Sequence, residues 1–147
     1  MIALARRTYG ALLGIEDRLW LPQGLVKRSD AIFRFTLSLI FIIGGLGHFA
    51  QLDEMLARIA QSPWAGIVMR IGDPAVLLWL SGGAFVFFGV SLALGLFQRI
   101  SALVLFVTLV PITLSIHLAP GHVGPLFKNV AILGALLFIY ARGNGPK

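Results

Sequence analysis

Three imidazoles carry most of the chemistry open to this chain: His48, His117 and His122. Near neutral pH an imidazole can hydrogen-bond a carbonyl, pass a proton, or ligate haem iron, copper or zinc. The sequence has no cysteine, so thiolate metal sites, iron–sulfur clusters and thiol relays within the chain are excluded. Asp53 follows His48 closely and Lys128 follows His122; a carboxylate there can orient an imidazole, and an ammonium can hold an anionic group or snorkel to headgroups. No HxxxH or similar spacing joins the histidines, so only topology can bring them together. His48, His117, Lys128 and Asp53 form the candidate ligand-binding set, and His48, His117 and His122 the candidate metal set. Interhelical or interfacial hydrogen bonding without a ligand stays open for His48 and His117, as does plain solvation for His122 in its Gly/Pro loop.

The elements that must position these residues are apolar helices. Of the 147 residues 58% are hydrophobic and 12% charged, against about 25% charged in an ordinary soluble domain. Mean hydropathy is +0.91. The run 31–50 would span about 30 Å as a helix, the thickness of a bilayer core. Similar runs at 74–97, 100–119 and 126–142 give four expected transmembrane spans. The expected fold is an all-α membrane protein: a four-transmembrane-helix bundle over 31–147, preceded by an amphipathic interfacial helix in 1–30 on the cytoplasmic side. Arg6 and Arg7 precede a short apolar run there, but Glu16-Asp17-Arg18 interrupts it and no cleavage pattern follows, which argues against a signal peptide.

Between the first two spans, 51–72 is too polar to cross, and one or two short helices on the membrane surface are expected, broken at Ser62-Pro63-Trp64. Asp73-Pro74 is a cap-and-turn signal for the second span. Gly44, Gly45, Gly82, Gly83 and Gly89 are expected to let helices approach closely. Pro111 predicts a kink in the third span, eased by neighbouring Thr and Ser hydroxyls. Lys128 and Asn129 are expected at the interface where the fourth span begins.

Charge sets the orientation. With the N-terminus inside, Arg6, Arg7, Arg18, Lys27, Arg28, Arg34, Arg99, Arg142 and Lys147 lie inside, against Arg58, Arg70 and Lys128 outside. Both termini are then cytoplasmic in a bacterial-type inner membrane. The net charge of +6 reads as this topology signal; no basic face with interleaved aromatics points to nucleic acid. The first and third spans run outward, and His48 and His117 each lie 17 residues past the first position of their span (31 to 48, 100 to 117). All three histidines therefore gather at the outer face.

The run Gly44-Gly45-Leu46-Gly47-His48-Phe49, then Ser81-Gly82-Gly83 and Leu94-Gly95-Leu96-Phe97-Gln98-Arg99, then Ile116-His117-Leu118 and Phe127-Lys128-Asn129-Val130, resembles the DoxX-like membrane proteins. That resemblance extends from the first span to the end. It implies a four-helix bundle and, for some members, a part in quinone-coupled sulfur oxidation or membrane oxidoreductase complexes. Relatives often carry an acidic residue just before the second-span glycine pair, where this chain has Leu80-Ser81.

Together these readings describe a small membrane subunit or partner of a quinone-linked redox system with an outward-facing histidine site. Quinone is the first cofactor to consider, haem or a metal ion the next. Whether the chain is itself catalytic stays open; if it is, the resemblance implies part of a quinone-linked oxidoreductase. The alternatives are a non-catalytic scaffold of a larger membrane complex and a metal-handling membrane protein. Expected partners are the bilayer and either another membrane protein or further copies of the chain.

Overall fold

The computed structural model describes residues 22–117 and 123–143, without the side chains of 115–117 and 123. The expected interfacial helix up to position 21, the loop carrying His122 and the tail beyond Gly143 lie outside the described residues. The chain divides into two units, Met1–Asp30 and Ala31–Lys147, and the helical packing described below belongs to the second.

Six helices follow in order among the described residues: α1 (Gln23–Ala50), α2 (Leu52–Ala60), α3 (Ala65–Ile71), α4 (Pro74–Ala93), α5 (Gln98–His117) and α6 (Val123–Arg142). At 28 residues, α1 is about 42 Å long. Its buried residues Ser38, Phe41, Gly45 and His48 recur every three or four positions and form one stripe. On α4, Leu78, Gly82, Phe85, Gly89 and Leu92 do the same. The stripes interlock, with Phe41 meeting Phe85 edge-on at 5.2 Å between ring centres. From α5, Ala102, Leu105 and Leu109, and from α6, Ile132, Leu136 and Ile139, complete the core.

Local chemistry explains where the helices stop. Asp73 caps α4 by accepting from the backbone N–H of Ala75 at 2.8 Å and of Val76 at 3.4 Å, while Pro74 occupies a first-turn position that needs no N–H partner. The helix ends at Ala93, earlier than the expected 97. Gly95 there takes the left-handed conformation (φ 74°). The N–H of Leu96 bonds the Ser91 carbonyl at 2.8 Å and that of Gly95 bonds the Leu92 carbonyl at 3.0 Å, the paired bonds of a Schellman ending. Ser91 and Ser101 hydroxyls both donate toward the Leu96 carbonyl, at 2.9 and 3.3 Å, and tie the hairpin between α4 and α5.

The polar stretch 51–72 folds into two short helices, α2 and α3. Ile59 of α2 is buried while Asp53, Glu54 and Arg58 are exposed, and Glu54 and Arg58 approach to 3.6 Å across one turn. The link to α3 carries Ser62, whose hydroxyl accepts from the Trp64 N–H at 3.2 Å.

The outward faces of the long helices are apolar. Ile43, Leu80, Phe87 and Phe127 are each about two-thirds exposed, Phe87 the most at 69%. A water-facing monomer does not leave large apolar side chains bare over whole helices, and the surrounding phase that accepts them is lipid. Among the described residues, Gln23–Ala50, Pro74–Ala93 and Gly124–Arg142 are long and apolar enough to cross a bilayer, and Gln98–Leu114 is a shorter apolar helix.

Candidate functional site at the His48 end of the bundle

His48 sits on the buried stripe of α1, three residues past Gly45 and near the helix end. Glycine brings it against α4. A Cβ on Gly45 would lie 2.7 Å from the Gly82 carbonyl oxygen, and one on Gly82 would lie 2.9 Å from His48 Cβ and 3.0 Å from the Gly45 carbonyl oxygen. Neither position has room for a side chain. Further along the crossing, a Cβ on Gly89 would press on Ile42 at 3.0 Å and Phe41 at 3.3 Å.

At this approach the imidazole reaches the backbone of α4. His48 Nδ1 is 3.2 Å from the Leu78 carbonyl oxygen and 2.9 Å from Ser81 Oγ. Ser81 in turn donates its hydroxyl to the same Leu78 carbonyl at 2.9 Å. The ring rests against Phe85, 5.5 Å between centres, and the residue is only 6% exposed. Three contacts from one helix therefore hold the ring in place.

No described contact joins the other candidates to this site. His117 ends α5, and its side chain, like all of His122, lies outside the described residues. Asp53 is exposed on α2 and Lys128 on α6; among the described residues neither is bonded to His48. No group of three His, Asp or Glu among the described residues could hold a metal ion. Of the five candidate packing glycines, Gly45, Gly82 and Gly89 lie in the close crossing. Gly44 and Gly83 do not, since a Cβ on either would meet nothing within 4 Å: each is rotated off the contact by one residue. Gly83 instead lines an apolar cavity of about 570 Å³ beside α4, with Leu46, Phe49, Val86, Phe87 and Val90 among its walls.

Two polar features were not anticipated from residue type. Ser81, read only as a departure from the family pattern, is the side-chain partner of His48. Asn129, expected at the interface beside Lys128, is buried at 5% exposure, its amide donating to Thr113 Oγ1 at 3.0 Å. Thr113 donates onward to the Leu109 carbonyl at 2.8 Å, one turn before α5 reaches His117. Position supplied the available signal: Ser81 lies three residues after Leu78, the spacing at which a helical hydroxyl bonds back to a carbonyl.

These features define an all-helical, multi-pass membrane protein whose first and second long helices pack through glycine around a buried histidine. The sequence model of the DoxX family matches residues 29–118, and the chain belongs to that family. The match runs from α1 through α5, leaving α6 beyond it. No curated protein and no solved structure matches the chain.

Proposed function

We propose that this chain is a small integral membrane subunit or partner of a quinone-linked redox system, with a ligand site built around His48. The observation that carries the reading is the buried imidazole fixed through Nδ1 by Leu78 and Ser81, because a ring oriented by an outer hydrogen bond presents its second nitrogen in a defined direction. Membership of the DoxX family supports it through that family's general link to redox and quinone-related systems. In this reading α5 is a fourth span, both termini are cytoplasmic, and α2 and α3 lie on the outer membrane surface. His117, Lys128 and Asp53 then approach the same outer mouth as His48.

The test is the ligand content of gently solubilised protein. Co-purified quinone, reduced in occupancy by His117→Ala and by His48→Gln, is the expected result. Cofactor-free protein whose redox partner works equally well with either variant would overturn the reading.

A scaffold role is favoured by one observation, the apolar cavity beside Gly83. In that case a partner's transmembrane helix seats there, and Gly83→Leu abolishes co-purification of the partner without unfolding the chain. Gly89 is unsuited to this test because its surroundings are the chain's own α1.

A further inference from the structure

The cavity beside α4 has the length of one membrane leaflet. Gly83 stands midway along α4, and from there the cavity wall follows the helix through Val86, Val90 and Leu94 to Leu96 and Phe97 of the hairpin. The eleven residue steps from 83 to 94 rise about 16 Å, close to half of a hydrocarbon core roughly 30 Å thick. Spread over that length, the volume of about 570 Å³ gives a section of about 35 Å², narrower than a helix about 10–12 Å across. Ser91 is the one polar side chain in the described lining, and its hydroxyl already donates to the Leu96 carbonyl. A long, thin, apolar slot of this kind matches a single hydrocarbon chain.

The hairpin end of the slot is cationic. Between the lining residues Leu94 and Leu96, a Cβ on Gly95 would lie 3.3 Å from Arg34 Nη2 and 3.6 Å from Gln98 Nε2, so the half-buried Arg34 of α1 reaches across to the hairpin. Arg99 lies against the end of α6, where a Cβ on Gly143 would sit 2.7 Å from its Nη2. Arg142 stands 5.8 Å from the centre of the Phe138 ring, and Phe138 meets Phe33, the neighbour of Arg34, edge-on at 6.3 Å. Guanidiniums from α1, α5 and α6 therefore gather at one end of the bundle, those of Arg99 and Arg142 exposed. Asp53, Glu54 and Asp73 belong to the opposite end. Setting Asp30, one turn before Arg34 on α1, against Arg34 still leaves the charges of Arg99 and Arg142.

We propose that this cavity holds one acyl chain of an anionic phospholipid from the leaflet at the arginine end, its headgroup phosphate at Arg34 and the charges of Arg99 and Arg142 adding to the attraction. A chain anchored by its headgroup at the hairpin runs to mid-membrane, where the cavity stops. The phosphate is a good partner for a guanidinium, and a headgroup with net negative charge is drawn to all three arginines where a zwitterionic one is not. The proposal is independent of the quinone-linked reading, and it gives the cavity a different occupant from the partner helix of the scaffold reading.

The test is native mass spectrometry of the full chain released from mild detergent, titrated with palmitoyl-oleoyl phosphatidylglycerol and with the phosphatidylcholine of the same chains. Wild type should keep one phosphatidylglycerol bound roughly fivefold more tightly than phosphatidylcholine, the weight of about one arginine near an anionic headgroup. Arg34→Gln should bring the two lipids within about twofold, and Arg34→Lys should restore most of the preference. Gly83→Leu has open space for its Cβ and so keeps the fold; its side chain enters the cavity and should weaken both lipids alike, which keeps the test decisive if Arg34→Gln does not fold. Glycerol phosphate, the headgroup anion without its chains, should not displace the lipid. Equal binding of the two lipids by wild type, or lipid binding unchanged in Gly83→Leu, overturns the proposal in favour of ordinary boundary lipid. Displacement by glycerol phosphate overturns it in favour of a bare anion site. A co-purified protein lost in Gly83→Leu while the lipid stays bound overturns it in favour of a partner helix.

Discussion

Two side-chain pairs among the described residues, Asn129 with Thr113 and His48 with Ser81, join neighbouring helices, and each has a measurable weight. Asn129 and Thr113 join α6 to α5 through one side-chain hydrogen bond. Thr113→Val keeps the shape but leaves the Asn129 amide without its acceptor; the expected effect is a loss of roughly 1–2 kcal/mol, the upper range for interhelical hydrogen bonds in membranes. Thermal unfolding in detergent measures it, and an unchanged midpoint would mean that another group or lipid water takes the amide. Ser81 behaves differently because its partner is the site itself. Ser81→Ala removes one partner from His48 Nδ1 and leaves the Leu78 carbonyl, so the midpoint should move little while the ring is held less firmly, which ¹⁵N NMR of histidine-labelled protein measures. The bonding of neither pair was legible from residue type, since a Ser in an apolar helix commonly bonds back to its own turn, as Ser38 does to the Arg34 carbonyl at 2.7 Å.

Between helices, the decisive quantity is the space at each glycine. Gly82→Ala places a methyl group 2.9 Å from His48 Cβ and 3.0 Å from the Gly45 carbonyl oxygen, and α1 must move away from α4 to admit it. The expected destabilisation is roughly 1–3 kcal/mol, the range for overpacking a tight contact, accompanied by loss of the fixed His48 orientation. Gly83→Ala, one residue on, meets nothing within 4 Å and should be neutral or stabilising by up to about 1 kcal/mol through helix propensity. Comparing the two melting points isolates the contact from the general effect of replacing a helical glycine; equal shifts would refute the crossing. At the α4–α5 hairpin, Gly95→Ala should cost roughly 1–2 kcal/mol because its left-handed backbone is unfavourable for any Cβ.

For the whole molecule, topology is the property that function depends on. The sequence has no cysteine, so single introduced cysteines report their side of the membrane without background. Arg99→Cys and Lys147→Cys should be shielded from an impermeant maleimide added to intact cells and labelled after the membrane is opened, whereas Arg58→Cys should be labelled in intact cells. Labelling of Arg99→Cys in intact cells would place the hairpin outside and reverse the proposed outer location of His48. The same experiment tests α4 as a span, because Arg99 and Arg58 share a side if α4 does not cross.

Sequence alone was sufficient for the class of the molecule. Length and hydropathy are local sums, and they marked the long helices of a multi-pass membrane protein, as Asp73-Pro74 marked the start of α4. The residues quoted for the DoxX-like resemblance likewise identified the family. Rotation of each helix about its axis was not legible in the same way. The span of α4 is apolar on nearly every side, so no amphipathic stripe indicates which face turns inward, and one residue's difference turns a side chain by about 100°. Only the packing of α1 on α4 decided that Gly45 and Gly82 meet while Gly44 and Gly83 face away, and that packing carries His48 to the Leu78 carbonyl and Ser81. Hydropathy placed the histidine in a helix; the interlocking of two side-chain stripes determined which atoms its ring can reach.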